Sequence, residues 1–202
     1  MPGVCAVIAA LYVEPGGVYY GIDGVDPWDV ERDARLYAGP WPVVAHPPCS
    51  RWCQLASVNE ARYGQKIGDD GGCFAAALEA VRTWGGVLEH PAYTIAWERF
   101  DLPRPVSGAW TRELFGHGWV TEVAQSDYGH RARKRTWLYA VGTDLPALDW
   151  SDSPGDAWVS WGDHDKYPDH ARLGKREAKA TPIAFRDLLI DMARSVRREA
   201  AE

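Results

Sequence analysis

The sequence predicts an α/β fold, an open sheet flanked by helices, on three observations. Short runs rich in β-branched and aromatic residues recur along the chain, at residues 4–13, 42–45, 87–88, 119–125 and 136–141. Between two of them, Phe74, Ala77, Leu78 and Val81 recur at helical spacing. Chemically capable residues follow the runs instead of interrupting them: His46 to Cys49 after one, Glu89 after another. In folds of strand, helix and strand, sites lie just outside the carboxyl ends of the strands.

Taken in order, residues 4–13 form an almost unbroken apolar run, as expected of a strand buried on both faces. Glu14-Pro15-Gly16-Gly17 breaks it, since proline presets a turn and glycine accepts positive φ. Residues 18–22 are again strand-like, which allows a hairpin, and residues 28–31 read as a short edge strand. Residues 42–45 form a brief strand that ends at Pro47-Pro48, because proline cannot continue a central ladder. A helix is predicted over 72–84, closed by Gly85-Gly86, with the next strand beginning at Val87. Residues 110–115 are expected to be helical. Residues 143–170, rich in Asp, Pro, Gly and Trp, are expected to be irregular, and Thr181-Pro182 starts a last helix facing inward through Ile183, Leu188, Met192 and Val196.

At 202 residues and 46% hydrophobic content, the chain suffices for one core, so residues 1–202 are expected to form a single domain with 143–177 as a long irregular insert. The formal charge of −6 excludes a global basic field. Nucleic acid would have to be met by a local patch, either Arg131, Arg133, Lys134 and Arg135 or Arg172, Lys175, Arg176 and Lys179. No apolar run reaches membrane-spanning length and no signal peptide is visible, so a cytoplasmic protein with no membrane partner is expected. Cysteines at 5, 49, 53 and 73 lack a disulfide framework. His46, Cys49 and Cys53 invite a metal reading, but the intervening prolines and the missing fourth ligand argue against it, and no metal is expected. The His164, His170 and aspartate cluster at 163–170 reads as a solvated turn.

A thiol, a carboxyl and arginines at strand ends are the groups needed to add a nucleophile to a pyrimidine. C5 of cytosine becomes reactive once a thiolate adds at C6 and a donor at N3 relieves the resulting charge. Cys49 supplies the thiol, Glu89 the carboxyl, and Arg133 or Arg135 the cationic setting that would favour a thiolate. Trp52, beside Arg51, is placed to stack a base.

With these residues in view, the chain resembles the cytosine-C5 DNA methyltransferase family, as a compact, phage-type relative. His46-Pro47-Pro48-Cys49 looks like its Pro-Pro-Cys nucleophile loop, Leu88-Glu89-His90-Pro91 like its Glu-Asn-Val/Pro segment, and Asp127-Tyr128-Gly129 with Arg133-Lys134-Arg135 like its Tyr-Gly and Arg-x-Arg motif. The resemblance implies a Rossmann-like methyltransferase-type sheet with a shortened N-terminal half and no full target-recognition domain. It implies Cys49 as nucleophile, Glu89 as N3 partner, and Arg133 and Arg135 as catalytic contacts. Pro48, Ser50, His90 and Tyr128 would meet the substrate. S-adenosylmethionine would be held by Gly16, Gly17 and Glu31, the last on the ribose. The implied partner is DNA or a pyrimidine nucleotide, with an accessory protein for target recognition. Two alternatives stay open: a pyrimidine-modifying enzyme with another donor, and an inactive relative that binds DNA through residues 131–135.

Overall fold

The computed structural model describes residues 7–159 and 168–197. Seven strands form one mixed sheet in the order β2-β1-β3-β4-β7-β6-β5. They are β1 (Ile8–Leu11), β2 (Val25–Trp28), β3 (Val43–Ala45), β4 (Gly86–Pro91), β5 (Thr111–Arg112), β6 (Gly118–Ala124) and β7 (Arg135–Val141). The strands from β2 to β4 run parallel, while β7 runs antiparallel to both β4 and β6. The carboxyl ends of β1, β3, β4 and β6 therefore share one edge with the start of β7. A separate two-stranded sheet pairs β8 (Ala157–Trp158) with β9 (Ala171–Arg172).

The period-2 alternation of the strands builds three layers. Ala9, Leu11, Val43, Ala45, Leu88, Trp137 and Tyr139 face the helices α2 (Cys73–Trp84) and α3 (Ile95–Arg99). Their sequence neighbours Ile8, Ala10, Val44, Val87, Leu138 and Ala140 face the C-terminal helix, α5 (Ile183–Arg194). Two further short helices are α1 (Ala56–Tyr63), which follows the Cys49 loop, and α4 (Lys175–Lys179). Mixed α/β architecture with helices on both faces of the sheet is compatible with a Rossmann-like fold.

Several elements differ from the sequence expectations. Residues 18–22 form turns and no strand, and β1 and β2 are parallel, so there is no hairpin there. The 12–24 connection makes the parallel crossover without a helix, taking left-handed φ at Tyr12, Gly16, Gly21 and Gly24. Residues 110–115 are not helical: β5 turns back onto β6, fastened where Glu113 N–H donates to Gly118 O (2.9 Å) and Glu113 Oε2 accepts from Tyr139 (2.9 Å). Along α5 the buried stripe is Phe185, Leu189, Ile190, Met192 and Ala193, whereas Ile183 is exposed and Val196 lies beyond the helix. Residues 143–154 carry no regular structure, but β8, β9 and the start of the helix Lys175–Lys179 fall within the segment 143–177 that the sequence predicts to be irregular throughout. Cys5, Asp163, His164 and Asp165 lie outside the described residues. No described helix is long and apolar enough to cross a membrane.

Candidate active site

The register fixes the centre of the site. Ala45 of β3 pairs with Leu88 of β4, so the next residue on each strand, His46 and Glu89, emerges side by side on the α5 face. His46 N–H still bonds Leu11 O (3.0 Å), after which Pro47 and Pro48 carry the chain out of the ladder. Cys49 then opens a tight turn in which its carbonyl accepts from the amides of Trp52 and Cys53, both at 2.9 Å. Cys49 is half-buried, while Pro48 and Ser50 on either side of it are exposed.

Glu89 is buried and sits in a chain of hydrogen bonds along the sheet edge. His46 Nδ1 donates to its Oε2 (2.9 Å), and Tyr19 OH lies 2.7 Å from the other ring nitrogen, Nε2. Gln125, at the end of β6, donates through Nε2 to Glu89 Oε1 (3.1 Å) and to Thr136 Oγ1 (2.9 Å). The Oε1 atom of Gln125 is buried beside this chain with no partner among the described residues.

Electrostatics tie the thiol to the carboxylate. Burial alone would push the Glu89 carboxyl up, but the His46 hydrogen bond and the charge of Lys134 prevail and hold it at about 2. Burial pushes the Cys49 thiol up, the Glu89 and Cys53 charges push it further, and Lys134 opposes them. Lys134 is thus the cation acting on both groups. Its Nζ donates to the carbonyls of Lys179 (3.5 Å) and Ala180 (3.4 Å), at the C-terminal end of α4.

The two arginines expected in this role have other partners. Arg133 Nε donates to Asp152 (2.7 Å), and its second nitrogen bonds the same carboxylate. Arg135 Nε donates to Glu122 (2.9 Å) and its guanidinium stands over the Tyr93 ring at 5.1 Å. Arg131 pairs with Asp156 and Glu177, both at 3.0 Å. A carboxylate that takes both guanidinium nitrogens of an arginine leaves little of its charge for a neighbouring thiol.

Other expected residues divide as follows. His90 is one residue beyond Glu89 and faces the opposite way, into the α2 and α3 side, with its ring 5.2 Å from Phe74 and 6.4 Å from Trp97. It is a core residue, away from the Glu89 face. Trp52 is also core: its ring packs on Phe74 and Phe100 and its Nε1 donates to Asp70 (2.8 Å), so it presents no face to a base. Tyr128 OH accepts from the Asp149 amide (2.9 Å) while its ring packs on Phe185, fastening the insert to α5. Glu31 is exposed in the turn after β2. The buried acid there is Asp29, which accepts from Tyr20 OH and the amide of Glu31 (2.9 Å). Gly16, at φ 64°, has open space where a Cβ would stand, whereas Gly17 serves its own turn, a Cβ there meeting Glu14 O at 2.8 Å. His46, Tyr19, Gln125, Thr136 and Lys134 are residues that sequence reasoning did not assign to the site. For His46 and Lys134 a signal was present, one at a strand end and the other inside the basic run.

His90 also makes the fold acid-sensitive. Neither ring nitrogen finds a well-formed hydrogen bond among the described residues, and although the Glu89 charge and the nearby Pro48 backbone favour the imidazolium, burial prevails and lowers it to about 4. The neutral form stabilises the fold fully above the ordinary histidine range, and that contribution is lost as pH falls from about 6.5 towards 4. Across that interval the loss is on the order of 3 kcal/mol. His90→Leu is expected to hold its melting temperature between pH 7 and pH 4.5 better than the wild type, measured by thermal denaturation at a series of pH values.

No family model, no curated protein and no solved structure matches this chain.

Proposed function

We propose that this chain modifies C5 of a cytosine-class pyrimidine in DNA, most simply by methylation, through a covalent adduct of Cys49 at C6. The observation that carries this reading is the placement of Cys49 beyond the end of β3 and of Glu89 just past the last β3–β4 pair, within the adjacent parallel strand β4, with the charge of Lys134 on both. A thiol and a carboxylate near the carboxyl edge of neighbouring strands suit one pyrimidine ring between them, the sulfur at C6 and the carboxyl at N3. Lys134 favours the thiolate that Glu89 and burial disfavour. The exposed flanks Pro48 and Ser50 leave the thiol approachable from solvent, and a duplex substrate would have its base flipped out to reach it.

The β1–β2 edge fits S-adenosylmethionine in outline. Glu31 is exposed in the turn after β2, where it would take the ribose hydroxyls, and Gly16 leaves room for close approach. That cofactor would supply an electrophilic methyl group to C5. The basic run at 131–135 supports an enzyme over a binding-only relative, because Arg131, Arg133 and Arg135 are already neutralised by Asp156, Glu177, Asp152 and Glu122.

The test is incubation of the chain with single-stranded and duplex oligonucleotides carrying 5-fluorocytosine, with and without S-adenosylmethionine. A denaturation-stable complex that needs the cofactor is the expected result. A complex formed equally without it would point to another donor, and none with either strand form would overturn the reading.

A further inference from the structure

Glu89, the N3 partner in the proposed function, has the wrong proton inventory for that part. A carboxyl held ionised down to about pH 2 has no proton of its own to give at neutral pH. Its two oxygens are met by His46 Nδ1 at 2.9 Å and by Gln125 Nε2 at 3.1 Å. Of these two donors only the imidazole can release a proton near neutral pH. His46 is itself gripped at its other nitrogen by Tyr19 OH at 2.7 Å, and its side chain is 13% exposed.

We propose that His46 is the proton reservoir of the site, passing the proton on Nδ1 through Glu89 to the ring nitrogen of the substrate. This rests on the reading of Cys49 and Glu89 as a pyrimidine-activating pair. When the thiolate sulfur forms its bond to C6, the C5=C6 π pair moves to C4–C5 and the C4=N3 π pair moves to N3. The imidazolium Nδ1 passes its proton to the Glu89 carboxylate, which hands it on to N3 and is left ionised as before. His46 is left neutral with its remaining proton on Nε2, donating to the Tyr19 oxygen. Elimination of Cys49 from the product runs the same transfers backwards, returning the proton from N3 to His46. The hydrogen displaced from C5 leaves separately as a proton, so each cycle restores the pair.

The charged and titratable groups around the relay are few. Glu89 and Tyr19 touch His46 directly, Lys134 and Cys49 are coupled electrostatically to Glu89, and His90 lies behind Glu89 on the other face of the sheet. Arg186 and Asp187 of α5 act on Tyr19, whose hydroxyl is held well above its ordinary range by burial first. Tyr19 therefore stays protonated and fixes the ring orientation without serving as the acid.

Two measurements on the full chain test this. The first is nitrogen-15 NMR of the histidine rings, assigned with His46→Asn. The expected spectrum has both ring nitrogens of His46 protonated when the pair is loaded, with Nδ1 giving up its proton and Nε2 keeping its own when it is unloaded. A ring that is never doubly protonated, or one that loses the Nε2 proton while Nδ1 keeps its own, would overturn the proposal whatever the activity. The second is the rate of adduct formation with the 5-fluorocytosine oligonucleotide from pH 6 to 9. His46→Asn keeps a donor to Glu89 but cannot carry a proton, so the maximal rate is expected to fall about a hundredfold with little change in KM, and the decline of the wild-type rate at high pH is expected to vanish. An unchanged profile in this variant, with the adduct still forming, would overturn the relay while sparing the functional reading. Absence of any adduct in the wild type would overturn both, and the NMR result would then report a structural pair alone.

Discussion

Cys49→Ser is expected to reduce the denaturation-stable complex with 5-fluorocytosine oligonucleotides to background while leaving the melting temperature unchanged. A serine hydroxyl occupies nearly the same volume, and Cys49 is half-buried in a turn made by its carbonyl, so the turn survives the exchange. What is lost is the nucleophile, because a hydroxyl is ionised far less than a thiol near neutral pH and adds to C6 correspondingly more slowly. The variant isolates chemistry from fold. If trapping persisted undiminished, the sulfur would have to be another one, and Cys53, one turn further on, would be the next to replace.

Gly86→Ala is expected to have the largest effect on stability. Gly86 opens β4 at φ 120°, and a Cβ there would stand 2.0 Å from Val43 O and 2.6 Å from Val43 N, both backbone atoms of β3. No side chain can swing aside to relieve that clash. Relief requires prising apart the pairing Val43↔Gly86, Val44↔Val87 and Ala45↔Leu88, the register that sets His46 beside Glu89. A loss of more than about 4 kcal/mol is expected, a large share of the ~5–15 kcal/mol that holds a typical domain together. Urea denaturation followed by tryptophan fluorescence measures it, and a midpoint close to wild type would show that β3 and β4 are spaced differently.

Much of this arrangement was legible because strands announce themselves locally. The runs at 42–45, 119–125 and 136–141 became β3, β6 and β7 nearly as bounded, and the helix at 72–84 with its glycine stop became α2. The site was legible only in part. Glu89 and His90 are adjacent in sequence, and which of them faces α5 depends on register with β3 and β7, a long-range property that the residue types do not carry. The same holds for charge. Arg133, Lys134 and Arg135 look alike as a run, but Asp152 and Glu122, distant along the chain, claim the two arginines and leave Lys134 to the thiol and the carboxylate. Trp110 to Phe115 lacked the strand alternation that would have revealed β5, because its pairing is two residues long and is held by the Glu113 side chain. The glycine-rich 12–24 connection reads equally well as a hairpin or as a crossover until the partner strand is known.

The central claim is that Cys49, Glu89 and Lys134 share one electrostatic site, and the pH dependence of Cys49 alkylation tests it without any substrate. Iodoacetamide modification of the folded chain, read at the Cys49 peptide by mass spectrometry, follows the thiolate fraction. In the wild type the rate is expected to rise at a pH above that of an ordinary thiol, since burial and the Glu89 charge both disfavour the anion. Glu89→Gln removes the opposing charge and is expected to speed alkylation severalfold at pH 7.5, whereas Lys134→Met removes the favourable one and is expected to slow it. Rates unaltered by both substitutions would contradict the shared site.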